Sequence, residues 1–208
     1  MRHSVYSRIK NTPMAFKLSV LIATLASRSN NLKSLLEELT HQIQTKPVQI
    51  IWMGDNKSIT IGEKRNNLLS LAKGEFVSFI DDDDSIADNY ISTLLKAIQD
   101  NPQKTVICFR GTQNTDGHQD LPFQYDVNFG RNFKKAIDGH RWKVMLPDHL
   151  CCWNRGKLIP GPFPNKRLGE DHDFARKMAF TYTEEDQVLL EETLYHYNYD
   201  RTLTECRR

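Results

Sequence analysis

A chain of 208 residues with 39% apolar and 26% charged residues suits one domain with a real core, and excludes a disordered or fibrous protein. The formal net charge of +2 is too small to imply nucleic-acid binding by itself. No apolar run approaches the roughly 18 residues of a membrane span, and residues 1–16 form a basic segment without a signal-peptide core.

The basic residues Arg2, Arg8, Lys10 and Lys17 at one end, and Arg207 and Arg208 at the other, read as solvated termini. From residue 17 the chain reads as one domain. Residues 18–22 form a short, nearly continuous apolar run, as in a strand covered on both faces. A polar turn follows, with Ser29 or Asn30 as helix cap, and then Leu32, Leu35, Leu36, Leu39 and Ile43 recur at helical spacing. Residues 48–53 predict a second strand. Thr60 and Glu63 form a capping-box pattern that opens a helix ending near Gly74, a candidate left-handed C-terminal residue.

Residues 76–80 predict a third strand, running straight into Asp81. Asp88 can cap a helix carrying Ile91, Leu94, Leu95 and Ile98 on one face, and residues 105–109 predict a fourth strand. Strands alternating with helices at this rhythm imply βαβ units and a mainly parallel sheet. Beyond residue 110 the pattern loosens. Phe123, Tyr125, Val127 and Phe129 alternate as in a half-exposed strand, and Pro160, Pro162 and Pro164 mark a loop. Residues 170–180 are helical, and residues 194–199 predict a short aromatic strand.

The strongest chemical signal is the run Asp81, Asp82, Asp83, Asp84. Adjacent like charges are costly unless solvent or a cation compensates them. Ligands of parallel sheets bind beyond the carboxyl ends of the strands. Mg²⁺ and Mn²⁺ take one or two carboxylates plus substrate phosphates, so this corner predicts a metal–diphosphate site. Lys64 and Arg65, early in the preceding helix, are placed to meet a phosphate. Asp55, ending the second strand, can accept from a base or ribose hydroxyl, or simply make a turn.

These pieces together resemble the family 2 glycosyltransferases of GT-A fold. The matching segments are residues 18–24 with Arg28, then Asp55-Asn56, Gly62-Glu63-Lys64-Arg65-Asn66, residues 72–84, and Gly169-Glu170-Asp171. The resemblance implies a nucleotide-sugar-binding half over residues 17–110 and an acceptor-binding, catalytic half over residues 111–208. It places Thr24, Arg28, Asp55, Lys64, Arg65, Asp81 and Asp82 on the donor, with Asp83 towards the metal. The run of four leaves the Asp-x-Asp frame open by one residue. It makes Asp171 the general base of an inverting transfer from a nucleotide-diphosphate sugar, UDP-sugar first, to a glycan or other hydroxyl. The usual Pro-Thr-Tyr-Asn at the first strand is replaced here by Ala23-Thr24-Leu25-Ala26.

His196 is a candidate further metal ligand among aromatic residues. His140, His149 and His172 lack a partner at metal spacing, although His172 adjoins Asp171, and Trp142 and Trp153 read as core residues or stacking surfaces. Cys108, Cys151, Cys152 and Cys206 show no zinc-type spacing and read as reduced thiols of a cytoplasmic protein. The competing activities are nucleotidyl transfer, for which no glycine-rich loop follows the first strand, and non-catalytic nucleotide or metal binding on the same fold. A nucleic-acid base is the less favoured acceptor.

Overall fold

The computed structural model describes residues 15–116, 121–128 and 143–199. Expectations for the basic termini before Lys17, Phe129, His140, Trp142 and Cys206 lie outside these residues. The first apolar run becomes β1 (Leu18–Leu25), seven of whose eight residues are buried. It is flanked in parallel by β2 (Val48–Asp55) and β3 (Phe76–Phe79), which explains its lack of a polar face. Helix α1 (Ser29–Ile43) connects β1 to β2, and α2 (Ile61–Leu71) connects β2 to β3.

Helix starts and stops depart from expectation in three places. Neither Ser29 nor Asn30 caps α1: a 3-10 turn over Ala26–Arg28 feeds directly into the helix, leaving Arg28 at the cap position with no side-chain bond to the first turn of the helix. Thr60 does cap α2, its hydroxyl accepting from Glu63 N at 3.1 Å. That helix ends at an extended Ala72, so Gly74 is not a left-handed terminator. Gly74 is needed instead for close approach, because a Cβ there would lie 2.5 Å from Ser19 N and 2.7 Å from Phe76 O. Helix α3 (Tyr90–Asp100) begins after Asn89 with no side-chain cap, so Asp88 does not serve either.

After the two-residue strand β4 (Ser85–Ile86) and α3, the chain enters β5 (Val106–Thr115), twice the length expected. Beyond it lie β6 (Leu121–Tyr125), β7 (Lys143–Met145), β8 (Cys152–Asn154), α4 (Glu170–Thr181) and β9 (Gln187–Tyr199). The sheet order is β2-β1-β3-β8-β5-β6-β7, with β9 pairing β5 in parallel and β4 antiparallel. The short β8 runs antiparallel between β3 and β5, which therefore point the same way. The result is a mainly parallel sheet flanked by helices.

The expected half-exposed strand is buried on both faces. Gln124 and Asp126 are buried along with Phe123 and Tyr125, because each polar group finds a partner: Gln124 Oε1 accepts from Arg110 Nε, and Asp126 Oδ1 from Gln187 Nε2 at 3.0 Å. The late aromatic strand is likewise longer than its apolar core. Its register against β5 extends to Thr115↔Tyr199, and it carries Tyr195, Tyr197 and Tyr199 to the aspartate run.

Candidate active site

Parallel register brings Leu25 beside Asp55, so β1 and β2 end together, and the chain leaving β3 places Asp81 at the same edge. The four aspartates then divide by partner. Asp81 accepts from Arg65 Nη2 at 3.1 Å; burial opposes its ionisation, but His149 and Arg65 outweigh that and hold the carboxyl below the usual range. Asp82 is buried, accepting from the Thr24 hydroxyl and from Arg28 Nη1 at 2.8 Å. Asp83 shares Arg28 Nη1, at 3.1 Å, and is pushed up to about 6 by burial and then by the charge of Asp81. Asp84 turns inward, accepting from Tyr195 Oη at 2.6 Å and Asn198 N at 2.7 Å. Asp81, Asp82 and Asp83 thus line the cleft, while Asp84 anchors β9.

Lys64 and Arg65 both have internal partners. The Lys64 ammonium is buried against Thr24 O and the Asp55 carboxylate. Burial pushes the Asp55 carboxyl up, but bonds from Lys64, Ile59 N and Ser58 Oγ prevail and hold it well below the usual range. Arg65 joins Glu170 to Asp81 and lies 5.7 Å over the Phe163 ring and 6.0 Å from Phe79. Its Nη2 is also 2.8 Å from His149 Nε2, which in turn is 3.2 Å from Asp81 Oδ2. One ring nitrogen serves one of these at a time, accepting from Arg65 or, protonated, donating to Asp81.

The α4 N-terminus brings Asp171 to the same place. Its first turn is acidic, as the helix dipole favours, and Asp171 Oδ1 accepts from His172 N at 2.7 Å. The loop before it docks on α2: Gly62 N donates to Lys166 O at 3.2 Å and Asn66 Nδ2 to Phe163 O at 2.8 Å. A Cβ on Gly62 would meet Pro164 O at 1.9 Å. Gly62→Ala is therefore expected to lower stability by about 2–3 kcal/mol in urea unfolding and to displace the loop that carries Asp171. Wild-type stability would remove this contact from the account.

Two cavities meet here. A cleft of about 220 Å³ runs between the strand ends and the Arg167–Asp171 segment. A second, of about 650 Å³, lies between β6, β7, β9 and α4. Asp81, Asp171 and Tyr197 line both. Other expectations fall elsewhere: His196 pairs with Ser85 across β4–β9, and its Nδ1 lies 2.9 Å from Thr112 Oγ1, away from either cavity lining. Trp153 packs edge-on against Phe174 in the core. His172 does face the larger cavity beside Asp171.

Sequence reasoning missed Glu170 and His149 as partners of Arg65, and Arg167, which lines the cleft and donates to Lys57 O at 3.0 Å. The Gly-Glu-Asp motif contained Glu170. Nothing in the local pattern announced His149.

Among the described residues no three His, Cys, Asp or Glu side chains converge into a ready-made cage. Asp83, part-exposed to the cleft beside two other carboxylates, fits the other mode, in which Mg²⁺ or Mn²⁺ takes one or two carboxylates and completes its shell with substrate phosphates. Without a cation the crowded charge is a burden. Asp83→Asn is expected to raise the stability of the metal-free protein at neutral pH by about 1 kcal/mol, or roughly 2–4 °C in Tm. A lowered Tm would show that the Arg28 contact dominates there.

A mainly parallel sheet with carboxylates lining a cleft at its strand ends, and an antiparallel strand set between β3 and β5, is the GT-A architecture. The sequence profile of glycosyl transferase family 2 matches residues 16–158, and the chain belongs to that family. Solved structures of residues 1–349 of S. aureus TarS share the fold. One has a TM-score of 0.60 at 18% identity, covering 88% of this chain and 60% of that one. The same fragment in complex with UDP-GlcNAc gives 0.58 at 17% identity (88% and 58% covered), and with UDP 0.61 at 17% (88% and 60%). This chain thus spans about 60% of the TarS fragment. A sequence comparison with curated proteins gives no match.

Proposed function

We propose that this chain is an inverting glycosyltransferase that moves a sugar from a nucleotide-diphosphate sugar, UDP-sugar first, to an acceptor hydroxyl. The observation that carries this is the junction of the two cavities at Asp81, Asp171 and Tyr197. A donor in the smaller cleft and an acceptor in the larger would meet beside the Asp171 carboxylate. Family membership and the UDP and UDP-GlcNAc complexes of TarS support the choice of donor.

In this account Asp55, held ionised by its bonds, accepts from the base, while Thr24 and Arg28 fix Asp82 at the floor of the cleft. Asp81, fixed by Arg65, faces the ribose. Asp171 takes the proton of the acceptor hydroxyl as its oxygen attacks the anomeric carbon, and the bond from that carbon to the diphosphate oxygen breaks on the opposite face. Arg28 and Arg167 set positive charge beside the leaving diphosphate. A divalent ion on Asp83, Mn²⁺ or Mg²⁺, would neutralise charge on that diphosphate when bound.

No helix of the described residues is long and apolar enough to cross a membrane. The buried free thiols of Cys108, Cys151 and Cys152 agree with a cytoplasmic setting, where nucleotide-sugars are supplied. The test is a panel of nucleotide-sugars incubated with the protein, with and without Mn²⁺, reading released nucleoside diphosphate. Metal-stimulated release from at least one UDP-sugar is expected. Absence of both release and thermal shift with every donor would refute the proposal.

A further inference from the structure

The larger cavity carries chemistry that the transfer reaction alone does not require. One wall is aromatic. Tyr197 and Tyr199, two apart on β9, project to one side with ring centroids 6.5 Å apart and planes within 28°. Such a platform suits the apolar face of a sugar ring, and the volume lies within the range of about 300–1,000 Å³ usual for ligand sites.

Facing the platform are two cations. Arg176, exposed on α4, makes no hydrogen bond to a described residue, and its one acidic neighbour is Asp173 a turn earlier, whose carboxyl it helps to hold below the usual range without a direct contact. Lys143, on β7, donates among the described residues to Gln113 Oε1 at 3.0 Å, and Gln113 pairs with Tyr197 across β5 and β9. The acids of the same cavity are already engaged or assigned. Asp81 holds Arg65, Asp148 accepts from Tyr125 Oη and Leu150 N, and Asp171 stands at the junction. Away from Asp171, the charges the cavity offers a ligand are those of Arg176 and Lys143.

We infer that the acceptor is a saccharide bearing an anionic group, stacked on Tyr197 and Tyr199 and paired through that group with Arg176 and Lys143. This rests on the proposed transfer reaction and names the acceptor class for it. Arg176 follows Asp171 by five residues on one helix, about 7.5 Å along its axis. Asp171 and Arg176 line the same cavity, so the anion belongs within a few sugar units of the attacked hydroxyl. A guanidinium takes carboxylate and phosphate equally through its paired N–H groups, so either is a candidate source.

Calorimetric binding to the full chain distinguishes them, using maltotriose, a maltotriose phosphate and trigalacturonate, with UDP titrated separately. One or both charged trisaccharides are expected to bind about tenfold tighter than maltotriose at low salt. High salt should shrink the difference. Arg176→Gln with Lys143→Gln should close it, while UDP binding shows that the variant is folded. Tyr199→Ala should weaken the charged and neutral sugars alike. Equal affinity for neutral and charged sugars, a preference that survives the double variant, or binding of a short single-stranded oligonucleotide in preference to all three would overturn the inference. Should no saccharide bind while UDP does, this inference fails alone. Should UDP also fail to bind, the donor site fails with it.

Discussion

Asp171→Asn is expected to lower sugar transfer by at least about a hundredfold in kcat while leaving donor affinity within about twofold. The amide keeps the size of the side chain and can still accept from His172 N, as the carboxylate does at 2.7 Å. What it loses is the capacity to take a proton. The competing role for Asp171 is that of an acid favoured by the first turn of α4, a role worth about 0.3–1 kcal/mol of stability and nothing in turnover. Paired measurements of kcat and of urea unfolding separate the two. A large rate loss with a small stability change identifies the base; unchanged turnover with a small stability loss identifies the helix-dipole role, and would return non-catalytic binding to consideration.

Arg65→Met should be the most destabilising change in the cleft, by about 3–5 kcal/mol. The guanidinium is buried between Glu170 and Asp81 and beside two aromatic rings, so its removal leaves the Glu170 carboxylate enclosed without its counter-charge and Asp81 with His149 alone. Arg65→Lys should recover little, because one ammonium cannot reproduce the planar fork that reaches Glu170, Asp81 and His149 together. Adding Glu170→Gln to Arg65→Met should restore part of the loss, since one stranded charge is removed with the partner it needed. Denaturant unfolding of the three variants tests this ordering. A cost below about 1 kcal/mol for Arg65→Met would mean that water, not the protein, balances these acids. The same network links β3 to the start of α4, so its loss should also loosen Asp171.

The first half of the fold was legible because its signals are local. Nearly continuous apolar runs at Leu18 and Phe76 mark strands buried on both faces, and Thr60 with Glu63 marks a helix start that the structure repeats. The second half was not, because its order comes from distant pairing. Cys152 reaches β3 and β5 through a strand of three residues, and Gln124 and Asp126 look solvent-facing until Arg110 and Gln187 are brought to them. Helix boundaries failed where a neighbour decided them: Gly74 reads as a terminator in sequence and is a contact residue in space. The aspartate run was legible as charge out of place, but its division into cleft-facing and anchoring members depends on Tyr195 and Asn198, more than a hundred residues away. Lys64 and Arg65 line the cleft, and each is held there by partners inside the protein. Their partners, Asp55 and Glu170, were in view without a local rule to join them.

The most direct measurement is UDP affinity by calorimetry, with and without Mn²⁺, for the wild-type chain and Asp83→Asn. Mn²⁺ is expected to tighten UDP binding by at least about tenfold in the wild type and by less than about twofold in the variant. Equal UDP affinity with and without the ion, or an undiminished effect of Mn²⁺ in Asp83→Asn, would contradict a donor diphosphate held through a cation at that carboxylate.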